Sequence, residues 1–184
     1  MITDEAGVIR PTFYNYFCDK YEVVEWIFNE YIIEKVRAMF EQKMYTEGLK
    51  LLFVCMKNDC AFYRKAFEIT GQNAFTDIIR NSLHNLFLSE MSEIYIENQT
   101  NNPLVTAELV AAFYANSLSN LLQMWIQSNN QQCTAENMVE AYAYLLSHRI
   151  QDFIDPTENP ASFSAGFSYA AESRTFSVYR VWII

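Results

Sequence analysis

Glycine and proline are scarce, with four of each in 184 residues. So few breakers favour long helices over many short strands joined by turns. Histidine is scarcer still. The only two, His84 and His148, stand alone at helical positions, with no Ser or Cys nucleophile elbow and no glycine-rich phosphate loop beside them. Nothing here assembles an active site, and the expectation is a protein that is not an enzyme and needs no cofactor. The four cysteines, Cys18, Cys55, Cys60 and Cys133, contain no Cys-x-x-Cys pair, so no zinc site is expected. They read as free thiols of a reducing cytoplasm. There is no signal peptide and no apolar run of membrane length. No internal repeat is present.

What is there is apolar and acidic. Hydrophobic residues make up 51% of the chain, with 14 Phe and 12 Tyr, enough for a well-buried core and too much for a disordered chain. The net charge of −9 argues against a body that coats nucleic acid non-specifically. Even residues 1–43 are not basic. Asp4, Glu5, Asp19, Glu22, Glu25, Glu30, Glu34 and Glu41 outweigh Arg10, Lys20, Lys35, Arg37 and Lys43.

The stretch Ile2 to Phe17 organises the rest. It reads as a short helix, a turn at Gly7 and a second short helix opened by Arg10-Pro11-Thr12. Glycine tolerates the positive φ of a tight turn, and proline is tolerated in a first helical turn. Ala6 and Val8 would pack at the turn, and Phe13 and Phe17 share one face at i, i+4. This is the layout of a helix-turn-helix whose second helix enters the DNA major groove.

The order Ala-Gly-Val-x-x-x-Thr-Phe-Tyr-x-Tyr-Phe, followed by Asp-Lys-Tyr-Glu, resembles the DNA-binding segment of the TetR family of bacterial transcriptional regulators. The resemblance implies that Arg10 and Tyr14 reach base edges, an arginine there being suited to bidentate contact with guanine. Pro11 would meet a thymine methyl, and Thr12, Tyr16 and Lys20 would grip phosphates and fix register. Cys18 departs from the family, which often carries lysine at that position, so the grip on one phosphate is expected to be missing. Family members have a whole helix before this point, whereas this chain begins inside the second. The expectation is therefore a mobile head with weak, poorly specific DNA binding until an upstream helix is restored.

Beyond Phe17, Asp19 reads as a helix cap with Glu22 at the capping-box position, opening a helix that runs unbroken to about Met44. Further helices are expected from about Thr46, from Asp59 until Gly71 stops it, over 73–98, and over about 105–127 and 134–154. The expected fold is all-α, with an incomplete helix-turn-helix head and connecting helix over 1–43. A ligand-binding and dimerising body spans 44–154, and an irregular, leucine-free tail 155–184 ends in a run with strand propensity. The body resembles the group of TetR-family proteins that includes the dihydroxyacetone kinase regulators, through the Phe62-Tyr63 pair, Phe75 and Trp125.

The family resemblance implies a pocket in the body, for which Phe53, Met56, Phe62, Phe87, Met91, Tyr114 and Trp125 are the candidates. Apolar stripes containing Leu109, Phe113, Leu121 and Met124 on one helix and Met138, Tyr142 and Leu145 on the next suit a four-helix homodimer interface about a twofold axis. The function expected is a regulator that binds a palindromic operator on double-stranded DNA as a dimer, with affinity set by a small-molecule or protein effector. The alternative is a dimerising sensor or interaction module that does not bind DNA by itself.

Overall fold

The structure, a computed structural model, describes residues 7, 9–71, 74–91, 96, 100, 102–128 and 133–154. The expected helix before Gly7, with Ala6 and Val8, lies outside the described residues, as do 129–132 of the expected loop and the tail from 155 on. The described residues are helices and their connections, with no strand. The all-α fold follows from the scarcity of breakers.

Gly7 has φ +66°, the left-handed conformation expected of the turn. Helix α1 (Arg10–Tyr14) follows, with Pro11 in its first turn and extended Ile9 as its cap. Helix α2 (Lys20–Phe28) starts at Asp19, whose carboxylate accepts from the backbone N–H of Tyr21 and Glu22. The capping-box role of Glu22 is displaced by one residue, since its carboxylate accepts from Cys18 N–H and not from Asp19. The helix continues through a π-helical turn, Asn29–Ile33, into α3 (Glu34–Glu41). Lys43, at φ +63°, reverses the chain into α4 (Tyr45–Asn58).

After α4 come α5 (Cys60–Ala66), α6 (Phe75–Glu90), α7 (Ala107–Gln127), α8 (Ala135–Ser147) and the single turn α9 (Gln151–Ile154). Asp59 stands at the break between α4 and α5 but its side chain caps neither. Thr106 caps α7 through Leu109 N–H, and Thr134 forms a reciprocal capping box with Asn137. The helix expected over 134–154 breaks at His148; of that expected over 73–98, Phe75–Glu90 is helical and Met91 extended, while 73, 92–95 and 97–99 lie outside the described residues.

Helices α6 and α7 make the most extensive packing and run antiparallel. Thr76 bonds Gln123 at one end and His84 pairs with Glu108 at the other. Along α7, Ala107, Ala111, Ala115 and Ser119 recur every fourth residue and are buried, a narrow stripe that admits a close neighbour. A continuous core joins Phe28, Val36, Phe40, Phe53, Phe75, Leu83 and Phe87 with Leu118, Leu122 and Tyr142. Each such large apolar side chain contributes roughly 1.5–3 kcal/mol by leaving water. The core therefore reaches back into the connecting helix as far as Phe28, while α1 buries none of its residues.

Candidate functional site

Aromatic ring contacts link helix α1 to the rest of the chain. Phe13 meets Tyr14 edge-on at 5.3 Å and Phe17 at 5.7 Å. Phe17 lies edge-on to Trp26 at 5.9 Å, and Trp26 to Tyr31 at 5.8 Å. With their apolar partners turned inward, Phe13 and Phe17 leave the rest of the segment outward. Tyr14 is 65% and Tyr16 76% exposed. Arg10, Pro11 and Lys20 are exposed and Thr12 is half-buried. Lys20 Nζ stands 5.0 Å from the Tyr21 ring. The six residues singled out for DNA recognition thus lie together on α1, the turn after it and the first position of α2. Cys18, beside them, is exposed, and its thiol pKa is raised by a hydrogen bond to the Glu22 carboxylate. The flank of α2 toward α6 is acidic, with Asp19, Glu22, Glu25 and Asp77 around a small polar cleft.

A larger groove of about 460 Å³ opens between the connecting helix and α4–α5. Trp26, Ile27, Tyr31, Ile32 and Lys35 form one wall, and Cys55, Asn58, Asp59 and Tyr63 the other. Tyr63 is 2% exposed. Burial first, then the negative charge of Asp59, pushes its phenol far above the usual tyrosine range. Burial likewise raises the Cys55 thiol, against the pull of the Lys35 ammonium. Both groups are therefore neutral hydrogen-bonding groups at physiological pH, beside one carboxylate, one ammonium and two aromatic rings. This is the mixture of apolar wall and few polar groups that small-molecule sites use.

A family model describing the C-terminal region of TetR-type transcriptional regulators matches residues 43–148. The chain belongs to the TetR family of transcriptional regulators. Neither the curated proteins nor the solved structures give a match to it. In this regulator the matched span begins at the Lys43 turn and takes in α4 to α8, including the Cys55–Tyr63 wall of the groove.

The seven residues expected to line a pocket are spread from core to surface. Phe53, Met56 and Phe87 are sealed in the core. Trp125 meets Phe53 edge-on at 5.4 Å, and its buried Nε1–H has no partner among the described residues. Tyr114 and Met91 are half-buried, and Phe62 is exposed against Tyr63. None of the seven lines the groove. The groove residues escaped sequence reasoning because its walls meet only through tertiary packing.

The stripe proposed for dimerisation divides in two. Leu109, Phe113 and Met124 on α7 and Leu145 on α8 are all more than half exposed, and Leu121 is half-buried. Met138 and Tyr142 point into the subunit's own core. The Tyr142 hydroxyl donates to the Tyr114 carbonyl at 3.1 Å and lies 3.0 Å from Ser117 Oγ. Tyr144, unnoticed in the sequence, is exposed near Leu145. Among the described residues no helix is long and apolar enough to cross a membrane, and no cluster of His, Cys, Asp or Glu is built to hold a metal.

Proposed function

We propose that this TetR-family regulator binds a palindromic operator as a homodimer, and that an effector in the groove beneath the connecting helix alters its affinity. The head runs to Lys43 and the body from Met44 to Ile154. The observation that carries the reading is the unbroken run of ring contacts Phe13–Phe17–Trp26–Tyr31. It ties the segment bearing Arg10, Tyr14 and Tyr16 to a wall of the groove, so whatever fills the groove acts on the head through packed side chains. The exposed row Leu109, Phe113, Met124 and Leu145 supplies a twofold interface. The effector is a small molecule with an aromatic or aliphatic body, or, as the resemblance to the dihydroxyacetone kinase regulators suggests, a protein.

Binding of labelled promoter fragments, followed across salt concentrations, tests the reading. Arg10→Ala is expected to relax the preference at one base pair. Lys20→Ala is expected to weaken all sequences alike and to reduce the salt slope by roughly 0.9 for each phosphate the protein no longer neutralises. Equal weakening on every sequence from both substitutions would remove Arg10 from base recognition. A second reading, a dimerising sensor that leaves DNA to a partner, is favoured by the acidic flank of Asp19, Glu22, Glu25 and Asp77. It predicts no shift of any fragment at micromolar protein.

A further inference from the structure

The connecting helix has a feature that neither its sequence nor its caps require. Between α2 and α3, residues Asn29–Ile33 form a π-helical turn, closed by an i→i+5 bond from Glu34 N–H to the Asn29 carbonyl. The five residues include neither glycine nor proline. A π turn inside an α-helix holds one extra residue, and such turns occur frequently at functional sites. Its effect here can be read from helical geometry. Counting back from Phe40, Val36 and Ile33 at about 100° per residue, a uniform α-helix would present Asn29 to the core and turn Phe28 roughly a quarter-turn away. Instead Phe28 is fully buried, edge-on to Phe75 at 5.7 Å, and Asn29 is only half-buried. The π turn therefore sets the rotation of everything before it relative to the body.

Trp26 and Tyr31 report the same thing. Residues five apart on an α-helix diverge by about 140°, yet these rings meet at 5.8 Å, because the wider π turn brings them toward one face. Both rings line the groove, as does Ile32.

We infer that Asn29–Ile33 is a register switch: the extra residue can be held in the π turn, as in this structure, or released so that the helix becomes uniformly α and the head turns by about 100°. The groove is its control point, because Trp26, Tyr31 and Ile32 line the groove in positions the π turn sets. A ligand shifts the balance by its differential affinity for the two registers. The inference rests on the reading above only in giving the groove a ligand; its test uses neither ligand nor DNA.

The test is a register swap in the full chain. Phe28→Asn alone removes a core ring and is expected to lower the melting temperature. Adding Asn29→Phe restores a ring to the core only if the helix becomes uniformly α, so the double variant is expected to regain more than half of that drop. Nitroxides on Cys18 and on the cysteine of Asn85→Cys, with Cys55→Ala, Cys60→Ser and Cys133→Ser, would then give a displaced distance distribution. Deleting Glu30 removes the extra residue while keeping both flanks in their present rotation, and is expected to retain the wild-type rotation of the head. A double variant no more stable than Phe28→Asn, or a rescued one with the wild-type distance, would overturn the switch. So would a Glu30 deletion whose distances match those of the double variant. Failure of the operator reading would appear separately, as absence of promoter binding by the wild-type chain.

Discussion

At the scale of single residues, Gly48 shows how little slack the core has. A β-carbon there would stand 2.7 and 2.8 Å from the Phe40 ring, closer than packed carbons tolerate. Phe40 has nowhere to retreat, being 1% exposed, stacked on Phe87 at 6.2 Å and edge-on to Tyr45 at 5.2 Å. Replacing a mid-helix glycine by alanine ordinarily gains about 1 kcal/mol, whereas overpacking a core costs about 1–3 kcal/mol. Gly48→Ala is therefore expected to lose about 1 kcal/mol net, read as a lower denaturation midpoint with unchanged slope. Equal or greater stability would mean that the Phe40 ring yields. Nothing in the sequence hints at this, since Gly48 sits in a stretch with ordinary helical patterning.

Among the elements, α4 and α8 are clamped on the surface by Lys50 and Glu136 at 2.7 Å. A hydrogen bond from the Lys50 ammonium is the main reason the Glu136 carboxyl titrates below its usual range. A carboxyl lowered on folding stabilises above its unfolded pKa of about 4.3 and ceases to do so as pH falls. Glu136→Gln should therefore melt slightly below wild type at neutral pH, and the gap should close as the pH falls and the carboxyl becomes protonated; a gap independent of pH would assign the difference to something other than charge. The pair is half exposed, so the effect is small. Elements were legible where a cap or an apolar period marked them, as at Asp19, whereas the caps at Thr106 and Thr134 emerge only in the structure. Elements were not legible where side chains compete with the backbone. At the end of α8, Ser147 Oγ and His148 Nδ1 both reach the Tyr144 carbonyl, ending the helix without glycine or proline. The π turn is invisible in sequence for a related reason: its residues are ordinary helix formers, and only packing against α4–α6 decides which of Phe28 and Asn29 is buried. The candidate DNA-binding residues were legible because they sit within eleven consecutive positions. The groove was not, because Trp26 and Tyr63 are neighbours only after folding.

For the whole molecule, the proposed dimer rests on the exposed row of α7 and α8. Phe113→Glu with Met124→Glu should leave the subunit fold intact, both residues being more than half exposed, and shift sedimentation from dimer to monomer at micromolar protein. A wild-type monomer, or a charged variant that still sediments as a dimer, would move the interface elsewhere. The distribution of tryptophan carries a different consequence, for optical work. Trp26 is 45% exposed at the head's attachment, whereas Trp125 is 6% exposed inside the body with its indole N–H unpaired among the described residues. A water-facing indole emits to the red, and a buried one without a hydrogen-bond partner to the blue. With Trp182→Phe removing the third indole, the chain carries two lamps of different colour, one on the connecting helix and one on α7. Gentle heating should dim and shift the red lamp before the blue one if the head loosens first; simultaneous change would mean that head and body melt together.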